Sequence, residues 1–384
     1  MKIIDNLFAE FYFQLSLFTS YSNIIEVLKE NEKFSPKDIY ANLKAGLYDL
    51  DDLKHWLDHH QQETQGHYYD VVRSLIDRKF LMAKINDNER KVVNSGWSGI
   101  NQYLDSFKLL PFVSSHPWQI LESCKYSTVS QGPLISIIMP AYNAERTIYI
   151  AIKSILSQIY INFELIVIND CSTDKTAEIV RSMCNFDRRV SLINLDKNYG
   201  SYIARNIGLL HSKGEFITVH DADDVSHPQK LYLQINEILK HRNCLASISY
   251  WIRLDQYGNV SLKRGLPFLR MNISSLLFHK SVPKKIGNWQ INRFGADLEY
   301  LDRIKSAFSR RAIKKIRLPL SLGLYRDNSL TTAMKTSVFN KIGSQARMKY
   351  EEKWRREHLA LFYPHTYNLL RFIDDYFLKR KSKL

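Results

Sequence analysis

Phe216-Ile-Thr-Val-His-Asp-Ala-Asp-Asp224 is an aromatic and β-branched run that stops abruptly in three carboxylates. Its apolar half reads as a buried strand of a parallel sheet, which delivers Asp221 and Asp223 at the carboxyl end, where open α/β sheets bind ligands. Residues two apart on an extended chain point the same way, so these two carboxylates converge on one cation. A hard divalent ion with oxygen ligands suits them, with a diphosphate as third party. The plainer alternative is a strand end followed by a capped helix. Asp is a preferred N-cap and Pro suits a first helical turn, so Asp224 is expected to cap a helix beginning near His227-Pro228.

The flanking sequence alternates strand and helix signals. Leu134-Ile-Ser-Ile-Ile-Met139 is a short apolar strand, Pro140-Ala-Tyr-Asn143 ends it, and Glu145 to Ser157 has helical spacing. Phe163 to Ile168 is the next strand, followed by Asn169-Asp-Cys-Ser-Thr-Asp174 and a helix to about Met183. Val190 to Asn194 and Tyr199 to His211 repeat the pattern. Such alternation implies right-handed βαβ units in a parallel sheet with a nucleotide site at the strand ends. There Tyr142 is placed to stack on a base, while Asn143 and Asp170 can hydrogen-bond a base edge or ribose; Asp170, Ser172 and Asp174 also suit an N-cap. Neither a Walker sequence nor Gly-x-Gly-x-x-Gly is present, so phosphate charge falls to a cation and to basic side chains such as Arg205. Further on, Ala246 to Arg253 reads as a strand, Tyr257-Gly-Asn259 as a turn and Ile273 to His279 as a strand. Trp251, Arg253 and Trp289 are candidates to clamp a sugar, the two tryptophans equally so for the core.

The 384 residues, 45% hydrophobic and 24% charged, describe a globular chain of two or three domains. No run approaches a membrane span, and Asp5 and Glu10 interrupt the apolar start, so a cytoplasmic location is expected. Cys124, Cys171, Cys184 and Cys244 show neither paired nor metal-ligand spacing and are expected to be reduced. The net charge of +15 belongs to the last fifth: from Arg303 onward there are twenty Lys or Arg against six Asp or Glu. Beside Trp354, Phe362, Tyr363, Tyr367, Phe372, Tyr376 and Phe377, that surplus suits an anionic membrane surface or an anionic substrate. A solvated basic face with inward aromatics explains it equally. No recognised nucleic-acid motif accompanies it, and nothing in the sequence specifies an oligomeric state.

The first 130 residues read as an all-α domain, with Leu43, Leu47, Leu50, Leu53 and Trp56 forming a buried helical face. His55, His59, His60 and His67 lack a carboxylate or Cys partner and are expected to be exposed polar residues rather than metal ligands. Ser127 to Pro133 marks the boundary. A central domain over 131–335 and a basic, aromatic helical extension over 336–384 complete the expected organisation.

The central block resembles the catalytic domain of inverting family 2 glycosyltransferases. The resemblance is carried by Ser136 to Asn143, Val167 to Asp174, Asn198-Tyr-Gly-Ser-Tyr-Ile-Ala-Arg-Asn206, Gly214 to Asp224, Gly295-Ala-Asp-Leu-Glu299 and Arg326-Asp-Asn-Ser-Leu-Thr331, in fixed order. It implies the A-type glycosyltransferase fold, a mostly parallel central sheet flanked by helices, and a nucleotide-sugar donor, most often a UDP-sugar. Ala141, Tyr142, Asn143 and Glu145 would line the nucleotide pocket, with Asp170 and Arg205 reading the base. Asp221 would face ribose and metal, and Asp223 would ligate Mn²⁺ or Mg²⁺. Asp297 matches the catalytic base, although relatives often carry Glu-Asp where this chain has Ala296-Asp297. Glu299 is expected to assist or orient the acceptor, held by Arg303 at i,i+4, and Arg326 to approach the departing diphosphate.

The implied reaction is transfer, with inversion, to a glycan or lipid-linked saccharide in bacterial capsule, lipopolysaccharide or other surface-glycan synthesis. A tail on the inner membrane face would bring the site near such an acceptor. Two other classes stay open on the residues alone. A sugar-phosphate nucleotidyltransferase also uses a strand-end Asp-x-Asp, and a catalytically silent glycan-assembly scaffold is hinted at by Ala296.

Overall fold

The structure, a computed structural model, describes residues 92, 95–112, 114, 116–118, 126–260, 268–324 and 341–364. The chain divides into two compact units, Ala83–Ala333 and a second of Met1–Met82 with Met334–Leu384. In the first, the elements are α1 (Trp97–Asp105), β1 (Ile135–Ala141), α2 (Ile148–Leu156), β2 (Phe163–Asn169), α3 (Thr176–Phe186), β3 (Val190–Asn194), α4 (Ser201–His211), β4 (Phe216–Val219), β5 (Asp224–Ser226), α5 (Lys230–Leu239), β6 (Ala246–Leu254), β7 (Arg270–Met271), β8 (Leu277–His279), α6 (Ser281–Ile286), α7 (Ala296–Phe308) and β9 (Ile313–Leu324). In the second, α8 spans Lys341–Phe362.

Among the described residues the strands form one sheet in the order β3-β2-β1-β4-β8-β6-β9-β5, with β7 paired to β6. The β3, β2, β1 and β4 segment is parallel, as the alternation of strands and helices requires. Alternation along β1 separates two cores. Ile135, Ile137 and Met139 pack with Leu165, Val167, Ile152 and Leu231, while Ile138 packs on the other face with Ile166, Val219, Tyr202 and Tyr300. Each such fully buried side chain contributes roughly 1.5–3 kcal/mol. Covered on both faces, β1, β2 and β4 read as near-continuous apolar runs, whereas the edge strand β3 exposes Ser191 and Asn194.

The far half of the sheet differs from the expected mostly parallel arrangement. β8 pairs antiparallel with both β4 and β6, β5 pairs antiparallel with β9, and only β6 and β9 are parallel there. The sheet is therefore mixed. Ile273–Ser275 forms a 3₁₀ turn, so the strand expected from Ile273 is confined to β8. Asp224 is not a helix cap: it opens β5, opposite Gly323, and α5 starts only at Lys230.

The segment ahead of β1 belongs to this unit rather than to a separate helical domain. Ile100, Tyr103 and Leu104 of α1 are buried with Phe112 against Ile252, Leu254, Leu320 and Leu322. The far strands bring an apolar surface that α1 covers together with Ile150 of α2 and Leu233 of α5. In α8, Trp354 and Leu359 are buried, so this part of the basic extension turns its tryptophan inward. Leu43 to Trp56, His55, His59, His60, His67, Arg326 and Tyr367 to Phe377 lie outside the described residues.

His227 locks residues 110–112 onto the β5–α5 link. Its Nδ1 accepts the Gln229 N–H at 3.1 Å and its Nε2 donates to the Leu110 carbonyl at 2.7 Å, which requires the neutral ring. Burial pulls this imidazole down from 6.5 to about 4. The unfolded chain therefore binds a proton first, and stability falls as pH drops from about 6.5 towards 4. Urea unfolding is expected to show this loss between pH 7 and 5, with His227→Gln less stable at neutral pH by about 1–3 kcal/mol but with a flatter profile.

Candidate active site

The ends of β1, β2 and β4 and the starts of α4 and α7 carry the candidate site. Both helices begin at a glycine in the left-handed region, Gly200 at φ 92° and Gly295 at φ 75°. These conformations turn the chain sharply into a helix without a Cβ penalty. Asp170, with 3% exposure, fixes the first of these turns: its Oδ1 accepts the Tyr199 N–H and its Oδ2 the Gly200 N–H, both at 2.8 Å. Rather than capping α3, Asp170 anchors the entry to α4.

The four residues Asp221, Arg205, Tyr202 and Asp297 form a continuous polar chain. Arg205 Nη2 donates to Asp221 Oδ1 at 2.9 Å, and the guanidinium lies 5.1 Å from the centre of the Tyr202 ring. The Tyr202 hydroxyl donates to Asp297 Oδ1 at 3.0 Å. Tyr202 and Arg205 are three apart on α4 and so share a face. Burial alone would push the Asp221 carboxyl up, but Arg205, helped by the Ser274 hydroxyl, outweighs it and holds the group below the usual range. A small cavity between Arg205, Val219, Ser274, Trp289 and Asp297 opens beside this chain. Within Asn198–Asn206 the charge of Arg205 marks it as a site residue, whereas Tyr202 is marked only by standing three residues before it on the same helix face.

Asp224 sits behind the other two acids, buried at the start of β5. Burial, with repulsion from Asp223 and Asp221, pushes its carboxyl well above the ordinary range. Burial also pulls the neighbouring Lys230 ammonium down to about 8, against the attraction of Asp224 and Asp221. No group of three or more His, Cys, Asp or Glu forms a ready-made metal cage among the described residues. The donor set instead fits a cation held by one or two carboxylates and completed by substrate phosphate oxygens, the usual pattern for Mg²⁺. Arg205 occupies one oxygen of Asp221, and the three neighbouring carboxylates repel one another strongly enough to perturb Asp224, so the site favours added positive charge.

The loops after β1 and β2 are stitched together. The Thr173 N–H donates to Asn143 Oδ1 at 2.9 Å, the Asn143 N–H to Ser172 Oγ at 3.0 Å, and the Lys175 N–H to Glu145 Oε2 at 3.2 Å. Asn143 holds a positive φ of 48° in this exchange. Ala141 is buried at the end of β1, while Tyr142 is 51% exposed beside it. Asn143 and Glu145 thus spend side-chain oxygens on the loop, and Tyr142 offers a bare ring.

Glu299 is placed differently from the expectation that it faces an acceptor. It is fully buried, with Oε1 2.8 Å from Arg303 Nε and Oε2 accepting from Arg303 Nη2 at 2.8 Å. Arg303 also donates to the Ile286 and Asn288 carbonyls, so the pair pins the loop after α6 onto α7. The i,i+4 spacing was legible, but it turns the carboxylate inward. Ala296 is likewise fully buried, where a carboxylate would be desolvated. Trp289 is core, stacked on Tyr300 at 4.7 Å, whereas Arg253 lies over the Trp251 ring at 4.5 Å.

The family model described as "Glycosyl transferase family 2" matches residues 136–297. An Escherichia coli protein, UDP-Glc:alpha-D-GlcNAc-diphosphoundecaprenol beta-1,3-glucosyltransferase WfgD, is 33% identical over 202 residues, 52% of this chain and 72% of that protein. An uncharacterized glycosyltransferase of Haemophilus influenzae is 45% identical over 118 residues, and this chain spans about half of its length, 47%. Staphylococcus aureus TarS 1-349 in complex with UDP aligns at 19% identity and a TM-score of 0.43, covering 59% of this chain and 70% of that one.

The buried ion pair in α7 is directly testable. Glu299→Ala leaves the Arg303 guanidinium without its carboxylate and is expected to cost about 3–5 kcal/mol in urea unfolding. A change within 0.5 kcal/mol would contradict the burial described above.

Proposed function

The chain belongs to glycosyltransferase family 2, and from that premise we propose that it moves a sugar, with inversion, from a nucleotide-sugar donor to an acceptor hydroxyl. The donor proposed is a UDP-sugar and the acceptor a glycan or lipid-linked saccharide of bacterial surface-glycan synthesis. WfgD, whose name specifies a UDP-Glc donor and a diphosphoundecaprenol-linked acceptor, supports both choices. One observation carries the reading: Asp221 at the strand end and Asp297 at the start of α7 are linked through Arg205 and Tyr202.

Asp223 and Asp221 would hold Mn²⁺ or Mg²⁺. When bound, the ion supplies Lewis-acid stabilisation of the charge developing on the diphosphate. Asp170 and the loop of Tyr142, Asn143 and Glu145 shape the nucleoside end, where the exposed Tyr142 ring stacks on the base. Asp297 takes the proton from the acceptor hydroxyl as that oxygen bonds to the anomeric carbon. The bond from that carbon to the diphosphate oxygen breaks, and its electron pair leaves with the nucleoside diphosphate. A single displacement from the opposite face inverts the centre. Arg205 keeps Asp221 ionised throughout, and the buried Ala296 leaves Asp297 as the one carboxylate of its motif at the cleft.

The basic chain end is proposed to meet an anionic bilayer. No helix among the described residues is long and apolar enough to cross a membrane. With Trp354 turned inward, attraction through the exposed Lys353 and Arg356 of α8 is electrostatic. Co-sedimentation is expected with phosphatidylglycerol vesicles but not with phosphatidylcholine, and to weaken between 0.05 and 0.5 M salt, concentrations bracketing roughly 14 to 4 Å of Debye screening. Salt-insensitive binding would refute an electrostatic contact.

The transferase reading is tested by following free nucleoside diphosphate from a panel of nucleotide sugars with Mn²⁺, Mg²⁺ or EDTA, with and without saccharide acceptors. Metal-dependent release from one donor is expected, lost in Asp223→Ala and reduced about 10²–10⁴-fold in Asp297→Ala. Release of pyrophosphate, or turnover indifferent to both substitutions, would overturn it.

A further inference from the structure

We propose that Tyr202 is a positioning residue for Asp297: its hydroxyl holds Oδ1 and thereby presents Oδ2 to the acceptor hydroxyl. This rests on the transferase reading, with Asp297 as base, and adds to it a residue that sets the base's orientation.

Two donors converge on the same carboxylate oxygen. The Tyr202 hydroxyl and the Leu298 N–H each donate to Asp297 Oδ1 at 3.0 Å. Among the described residues none donates to Oδ2. The terminal torsion of an aspartate is broad and two-fold, so a carboxylate at an exposed helix start samples many planes. Two donors in different directions on one oxygen select one plane, and the second oxygen is left with its lone pairs unspent. A base needs that arrangement, because an oxygen already accepting two hydrogen bonds has little capacity left for a proton.

Tyr202 is itself held. It is 5% exposed, packed with Ala204 and Tyr300, and the Arg205 guanidinium lies against its ring. Burial, reinforced by the Asp297 charge, pushes the phenol far above its ordinary value, so it remains a protonated donor at any working pH. Arg205 in turn is bonded to Asp221. The plane of the base is thus referenced, through one turn of α4, to a carboxylate on the donor side. A phenylalanine would fill the same apolar volume. What the hydroxyl adds is its bond to Asp297, the carboxylate lining the cavity beside Arg205.

Tyr202→Phe tests this on whichever of UDP-glucose, UDP-galactose and UDP-N-acetylglucosamine the wild type turns over with Mn²⁺. The expected result is a fall in kcat of about tenfold, the scale of one lost hydrogen bond. Donor KM, and the Kd for UDP by calorimetry, should stay within about twofold, since the donor does not touch the hydroxyl. On the residual rate of Asp297→Asn, adding Tyr202→Phe should cost nothing further. In urea unfolding, which needs no substrate, Tyr202→Phe and Asp297→Ala should be non-additive because they break one bond. An unchanged kcat, an equal loss in the Asp297→Asn background, or additivity in unfolding would overturn the inference. Wild-type turnover that is lost in Asp297→Asn but kept in Tyr202→Phe overturns it while the transferase reading stands. No turnover of any donor removes both.

Discussion

Arg205 enters the interior at the carboxyl end of the sheet with 5% of its surface exposed, and a guanidinium there must be answered by carboxylate. Asp221 answers it directly, and Asp297 adds to the field that holds it charged. The consequence is that α4 is bonded to both acids, through Arg205 to Asp221 and through Tyr202 to Asp297. Asp170 fixes where the helix begins, and Asn206 fixes its middle by exchanging hydrogen bonds with the Trp289 backbone at 2.8 and 3.0 Å. The β4 end, the α7 start and the loop between α6 and α7 are therefore set relative to one another by one helix.

The sheet serves the same end. β4 is the strand where direction changes, parallel to β1 on one side and antiparallel to β8 on the other. Parallel strands before it deliver loop after loop to a common edge, which suits a nucleoside. Antiparallel pairing after it brings the chain back, so that the segment from Ser281 to Phe308 packs on the same face as α4 and places Asp297 across from Asp221. A wholly parallel continuation would need a further crossover helix at each step and would carry the chain outward from the cleft.

The parallel half was readable because β1, β2 and β4 are buried on both faces and the strands are separated by amphipathic helices, so type and order follow from apolar runs. The Asp-x-Asp at the end of β4 was readable for the same reason: a run so apolar has no local use for three carboxylates. What the sequence hid is what depends on distant partners. β5 is three residues long and exists only because β9 pairs with it; in isolation Asp224 looks like a cap. Residues 97–105 show a helix but not the surface that it covers, since that surface is assembled from β6 and β9 more than 140 positions later. Nothing near Tyr202 in sequence marks its role, because the carboxylate that its hydroxyl meets lies 95 residues away.

Asp297 and Glu299 show how the same side-chain chemistry is divided by neighbours. Both lie in the first turn of α7, where an acidic residue suits the helix dipole, and local sequence does not separate them. Glu299 has the Arg303 guanidinium at both of its oxygens and no solvent exposure, so its lone pairs are committed to that pair. Asp297 has neutral donors, a phenol and an amide, both on one oxygen. A base needs an oxygen with a lone pair to spare, which the Arg303 pair denies Glu299 and which two bonds on Oδ1 leave at Oδ2 of Asp297. The separation of roles therefore rests on Arg303. By drawing Glu299 inward it gives α7 a rigid anchor and leaves the cleft with one carboxylate on the acceptor side, the number a single displacement uses.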